Sequence, residues 1–168
     1  MDLPTGSYPN SASLRFKLDL YDYAIGQPQP LPVPVGKRYH AGMARVLIID
    51  DDFEIVAILT EILKHENHEV SSAGEPVEGM QMARKVKPDL IILDYHMPGN
   101  TGSHLFESLR RNNATKTTPI LFMSGEADPS QIMAEVSDSG GARFLPKPVK
   151  LEEFRRAVRE MLAGPKEA

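Results

Sequence analysis

From Ala44 onward, short aliphatic runs alternate with amphipathic stretches. Arg45–Asp50 contains Val46-Leu47-Ile48-Ile49, apolar at every position, and ends in acids. That pattern predicts a strand buried on both faces. Phe53–His65 has apolar residues at 53, 56, 59, 62 and 63, a helical stripe. Glu69–Ala73 reads as a shorter, weaker strand. Pro76 suits a helix first turn, Val77, Met80, Ala83 and Val86 continue at helical spacing, and Pro88 ends the element. Leu90–Asp94 is a second all-aliphatic strand ending in an acid. Gly102–Arg111 predicts a helix, and Pro119–Ser124 a strand ending in a hydroxyl. Residues 129–137 predict a helix ended by Gly140-Gly141. Arg143–Pro146 reads as a short strand, and Leu151–Leu162 as a helix with its stripe at 151, 154, 158, 161 and 162. Five β–α units in succession predict an α/β fold: a doubly wound, five-stranded parallel sheet with five helices on its two faces.

Residues 1–43 break this pattern. They hold Pro4, Pro9, Pro28, Pro30, Pro32 and Pro34, and Gln27 to Val35 alternates proline with other residues. Proline fixes φ and removes an amide donor, so the segment is expected to be an extended, disordered N-terminal extension. The domain is then expected over 44–164, with Met43 a natural first residue, and 165–168 as a tail. At 168 residues, with 41% hydrophobic and 25% charged residues, one domain can bury a core without staples. The chain has no cysteine, which removes disulfides, zinc–thiolate sites and a cysteine nucleophile and is compatible with a cytoplasmic location. A net charge of −4 argues against direct nucleic-acid binding on a basic face. The aliphatic runs are far too short to span a membrane, and the N-terminus has no secretory pattern.

In a doubly wound sheet, function gathers at the carboxyl ends of the strands. The first strand delivers Asp50 and Asp51 there, with Asp52 next; the third delivers Asp94; the fourth Ser124, then Gly125; the fifth Lys147 between Pro146 and Pro148. Singly, Asp52 suits a helix N-cap, Asp94 a turn, Ser124 a cap and Lys147 a solvated loop. Jointly, three acids, a hydroxyl and a lysine at one edge suit phosphoryl chemistry. Crowded carboxylates repel, and Mg²⁺ relieves that cost. Asp94 ends a central strand alone and is the candidate nucleophile for an aspartyl-phosphate, while Asp50 and Asp51 suit the metal. Lys147 and the Ser124 hydroxyl would spread the phosphoryl charge, and Gly125 leaves room. His65 and His68 read as a helix end and a strand start, not as zinc ligands.

The runs VLIIDDD at 46–52, LIILDYHMPGNTG at 90–102, ILFMSG at 120–125 and FLPKP at 144–148 together resemble the receiver domain of two-component response regulators. The resemblance covers residues 44–163 in order and spacing. It implies the flavodoxin-like strand order 2-1-3-4-5, Asp94 as phosphoacceptor, and a metal set of Asp50, Asp51, Asp94 and the backbone carbonyl of His96. It also implies Ser124 and Lys147 as the hydroxyl and lysine of the site, Phe144 as the switch aromatic, and a cis Lys147–Pro148 bond. His96 and Glu126 would flank the site and tune dephosphorylation.

The resemblance further implies phosphoryl transfer from a histidine kinase or phosphotransfer protein. Ser124 would then be drawn inward and Phe144 would rotate, repacking the face of the fourth helix, fifth strand and fifth helix for a downstream protein target or a phosphorylation-dependent dimer. Such a domain catalyses its own phosphorylation and dephosphorylation and is only marginally an enzyme. Ala163 to Ala168 are too few for a DNA-binding helix-turn-helix, so a stand-alone receiver is expected. Arg155, Arg156 and Arg159 alternate with Glu152, Glu153 and Glu160 and read as a solvated or partner-facing surface. Two alternatives stand beside this reading. A haloacid-dehalogenase-type phosphohydrolase shares Asp50-x-Asp52, Ser124 and Lys147, but has Glu54 against its pattern and leaves Asp94 without a role. A receiver-like interaction module that takes no phosphate is the other.

Overall fold

The computed structural model describes residues 43–97, 100–125 and 141–164. The extension before Met43, Glu126, the predicted helix over 129–137 and the tail at 165–168 lie outside the described residues. Within them, five strands form one parallel sheet: β1 (Arg45–Ile49), β2 (Glu69–Ala73), β3 (Leu90–Asp94), β4 (Ile120–Ser124) and β5 (Ala142–Pro146). Their order is β2-β1-β3-β4-β5, as the resemblance implies. The four helices among the described residues are α1 (Phe53–His65), α2 (Pro76–Val86), α3 (Gly102–Arg111) and α4 (Leu151–Leu162). A two-stranded antiparallel ribbon, His96–Met97 with Asn100–Thr101, follows β3 and has no counterpart in the predicted elements.

Side chains alternate across a strand, and here the alternation sorts the core into two layers. Val46, Ile48, Leu90, Ile92, Leu121, Met123 and Leu145 pack with α1 and α4. Leu47, Ile49, Ile91, Leu93, Ile120 and Phe122 pack with α2 and α3. The runs that are apolar at every position are therefore those sandwiched between helices. β2, at the sheet edge, buries only Ala73 fully, which matches its weaker pattern.

Two helical stripes differ from the sequence expectation. In α1 the buried residues are Ile55, Leu59, Ile62 and Leu63, while Phe53 is 78% exposed. Phe53 precedes Ile55 by two residues, about 200° of helical rotation, and so points away from the sheet. In α2 the buried positions are Gly79 and Ala83, and Val77 is exposed for the same reason. Gly79 lies close against β1: a Cβ there would stand 2.8 Å from Ile49 Cδ1 and 3.0 Å from its Cγ2, so a side chain would require Ile49 to shift.

A third correction concerns α4. Arg155 is 7% exposed, not part of a solvated face. Its Nε lies 2.8 Å from Glu66 Oε1, at the end of α1, and Nη1 lies 3.5 Å from Glu152 Oε1. Burial lifts the Glu66 carboxyl above its ordinary range, and the Arg155 and Arg159 charges partly offset this. The guanidinium of Arg155 ties two helices of the same layer. Arg143 of β5 pairs with Glu160, anchoring the other end of α4.

Gly102 fixes the turn after β3. Its N–H donates to the Tyr95 carbonyl at 2.8 Å. An added Cβ would meet Tyr95 Cα at 2.8 Å and the Asp94 carbonyl oxygen at 3.0 Å, both backbone atoms. Gly102→Ala is expected to lower stability by about 1–3 kcal/mol, because the backbone carrying Asp94 must shift. Urea unfolding checks this: alanine ordinarily favours a helix over glycine, so an unchanged or raised midpoint would show that the contact yields freely.

Candidate functional site

Asp94 is the last residue of β3 and keeps the alternation of Leu90 and Ile92. Asp50, just beyond β1, follows Val46 and Ile48 in the same way, and Lys147, just beyond β5, follows Leu145. The three therefore emerge toward the same layer. β4 lies between β3 and β5, and its terminal Ser124 has the opposite parity, with Ile120 and Phe122. The lysine side chain reaches over the end of β4 to the acids.

Lys147 Nζ donates to Asp50 Oδ2 at 3.1 Å and to Asp94 Oδ1 at 3.2 Å. Asp50 and Asp94 are 5% and 6% exposed, and Asp51 is exposed. Oxygens of all three carboxylates lie within 4.8 Å of one another. The Asp52 N–H donates to Asp50 Oδ1 at 2.9 Å. Asp52 itself caps α1, its Oδ1 accepting from the Glu54 and Ile55 amides at 3.1 and 3.3 Å. The N-cap expectation for Asp52 holds, and its carboxylate is turned to the helix.

Burial pushes the Asp94 carboxyl up to about 7; Lys147 opposes this, while the charges of Asp50 and Asp51 add to it. Burial likewise raises Asp50, against the pull of Lys147 and the Asp52 amide. For Lys147, burial lowers the ammonium and the two carboxylates more than compensate, leaving it above its ordinary value. One cation among three acids leaves an excess of negative charge, so the cluster is poised to take up positive charge.

Ser124 is 2% exposed. Its Oγ lies 2.8 Å from Nδ1 of His96, a residue exposed as a whole. The sequence singled out His96 for its backbone carbonyl and as a flanking residue. The ring contact spans 28 positions, and no local pattern signals it. A Cβ on Gly125 would make ordinary contact with Lys147 Cβ at 3.8 Å, so alanine fits there and only larger side chains would crowd the lysine. Phe144 is half-buried and packs against the layer containing Phe122, its partner in register. Tyr95 and Phe106 pack on Phe122 with ring centroids 6.2 and 5.3 Å apart. The Lys147–Pro148 peptide is cis.

A doubly wound parallel sheet with three acids and a lysine at its carboxyl edge defines the flavodoxin-like class of α/β proteins whose site lies at strand ends. Within that class, the profile of the response regulator receiver domain matches residues 46–159, and the chain belongs to that family. The DNA-binding dual master transcriptional regulator RpaA of Synechocystis is 34% identical over 122 residues, covering 71% of this chain and 49% of the relative. Protein PilH of Pseudomonas aeruginosa is 30% identical over 122 residues, covering 73% of this chain and all of PilH (100%). The chain thus spans about half the length of RpaA and the whole of PilH. Among solved structures, chemotaxis protein CheY4 of Vibrio cholerae superposes with a TM-score of 0.66 at 30% identity, over 71% of this chain and 99% of CheY4. No helix among the described residues is long and apolar enough to cross a membrane.

The raised Asp94 carboxyl gives the metal-free protein a pH signature. Folded Asp94 holds its proton up to about 7, whereas the unfolded residue releases it in the ordinary carboxylate range. The folded state therefore binds more protons through that window, and stability falls as pH rises across it. Asp94→Asn removes the penalty. It is expected to be about 2 kcal/mol more stable than wild type at pH 8, with little difference at pH 4, in urea unfolding with chelator present. Equal stability at both pH values would show that the buried carboxylate carries no such cost.

Proposed function

We propose that residues 44–164 form a phosphorylation-controlled switch, in which Asp94 accepts a phosphoryl group from a histidine kinase or phosphotransfer protein and the altered domain signals to a downstream protein. The observation that carries this reading is the ammonium of Lys147 bonded jointly to the buried carboxylates of Asp50 and Asp94. An acid needed only as a cap or turn former has no use for such a partner. A histidine-kinase donor also implies a cytoplasmic location.

The donor set fits a hard divalent cation: the three clustered side chains offer carboxylate oxygens, with no sulfur or imidazole among them. Asp50, Asp51 and Asp94, with the backbone carbonyl of His96, would hold Mg²⁺, which when bound supplies positive charge to the phosphoryl oxygens. Asp94 must be ionised to react, and positive charge at the cluster favours that form. An Asp94 carboxylate oxygen forms the new O–P bond as the bond from phosphorus to the donor's imidazole nitrogen breaks, the electron pair staying on that nitrogen. Lys147 has three N–H donors and can turn one toward a phosphoryl oxygen without leaving Asp50. The Ser124 hydroxyl takes another oxygen. Hydrolysis by water restores the carboxylate and releases inorganic phosphate.

The same reading supplies a switch. Ser124 shares its layer with Phe122 and the half-buried Phe144, so an inward shift of the hydroxyl alters the packing beside that ring. Phosphorylation then biases an existing equilibrium between two arrangements of the face that includes β5 and α4.

Acetyl phosphate with Mg²⁺, read by intact mass, tests the acceptor. One added phosphoryl group is expected on wild type, with none on Asp94→Ala and none in the presence of chelator. Lys147→Met is expected to slow labelling by about 100-fold, the loss of one preorganised charge. Absence of an adduct on folded protein with both acetyl phosphate and a kinase donor would favour an interaction module that takes no phosphate.

A further inference from the structure

The ring of His96 has no part in the reaction as derived above, where only the backbone carbonyl of that residue enters. Yet its Nδ1 stands 2.8 Å from Ser124 Oγ, the oxygen whose proton the phosphoryl group would need. In register, Asp94 of β3 pairs with Met123 of β4, so Ser124 closes β4 beside the end of β3 and His96 lies just past that end. The ring also has an aromatic neighbour. Tyr95 packs edge-on against it at 5.2 Å between centroids and leans in turn on Phe122. Phe122 is the residue in register with Phe144.

We propose that the His96 imidazole is a positioning residue that latches the Ser124 hydroxyl in the unphosphorylated protein, Nδ1 accepting the hydroxyl proton. This rests on the assignment of Asp94 as phosphoacceptor and Ser124 as a phosphoryl contact. A hydroxyl has a single proton to donate, so His96 and a phosphoryl oxygen compete for it. The tautomer required carries its hydrogen on Nε2 and leaves Nδ1 free to accept. Phosphorylation breaks the latch, and the freed ring leaves Tyr95 without its edge-on neighbour. Tyr95 and Phe122, the latter in register with Phe144 in the same layer, thereby feel the change at the site. The latch sets how tightly a phosphoryl group is held and gives the resting state its share of the equilibrium.

The test uses the full chain with Mg²⁺ and beryllofluoride, a non-covalent mimic of the phosphoryl group, measured by calorimetry. His96→Ala is expected to bind beryllofluoride about fivefold more tightly than wild type, the fold-change of one neutral hydrogen bond. His96→Asn, whose Oδ1 can reach the place of Nδ1, is expected to stay within about twofold of wild type. On a Ser124→Ala background, His96→Ala is expected to change nothing. The ring ¹⁵N shifts of wild type should report an unprotonated Nδ1 that moves on Ser124→Ala and on adding beryllofluoride, a signature that mere packing would not give. Unchanged or weaker binding by His96→Ala, an equal gain without the serine hydroxyl, or a protonated Nδ1 would each overturn the latch while leaving the phosphoacceptor reading intact. Failure of wild type to bind beryllofluoride with Mg²⁺ would overturn both.

Discussion

One ammonium bonded to two buried carboxylates holds the carboxyl edge of this sheet together. Lys147 reaches Asp50 and Asp94 from beyond the far strand, and both acids are nearly shielded from water. Charges in such surroundings are costly unless paired, and the pairing here is incomplete because one ammonium serves two buried carboxylates, with the exposed Asp51 adding a third acid nearby. Burial, with the added repulsion of the neighbouring acids, keeps Asp94 reluctant to ionise, and the excess of acids makes the edge receptive to added positive charge. On the proposed reading, a site built this way responds to a cation and a phosphoryl group as one electrostatic event.

The parallel sheet is what makes the convergence possible. All five strands run the same way, so every strand ends at the same edge. Strand alternation then divides the end residues between layers. Asp50, Asp94 and Lys147 follow the layer of α1 and α4, and Ser124 follows the layer of α2 and α3 with Phe122 and Phe144. The serine is thus the member of the site that belongs to the other side of the sheet. On the proposed reading, that makes it the point where chemistry at the acids becomes a packing change among aromatic side chains. Its hydrogen bond to His96 places a second residue at that junction.

Elsewhere the fold spends polar contacts on stiffness. Arg155 joins α4 to the end of α1, and Arg45 pairs with Asp89 at 3.1 Å on the opposite edge of the sheet. Arg110 of α3 donates to the Thr118 carbonyl at 2.8 Å and lies over the Phe106 ring, fixing the approach to β4. A rigid frame lets small movements at one edge stay discrete, because packed layers rearrange between alternatives and do not deform smoothly.

Among the described residues, the sequence by itself determined the five strands of the parallel sheet, the four helices and their succession along the chain, because runs such as Val46–Ile49 and Leu90–Leu93 are apolar at every position, short, and bounded by acids or proline, as strands sandwiched between helices are. It also determined which polar residues stand at strand ends, since Asp50, Asp94, Ser124 and Lys147 each directly close or follow a strand. Tertiary structure alone decided what those residues touch. The Lys147 contacts, the His96–Ser124 bond and the burial of Arg155 against Glu66 join residues far apart in the chain, where periodicity carries no information. Phe53 and Val77 show the same limit from the other side. Each extends an apolar pattern along the chain, but the angle at which its helix rests on the sheet turns it to solvent. Local pattern reports which side chains can be buried; the meeting of distant elements decides which ones are.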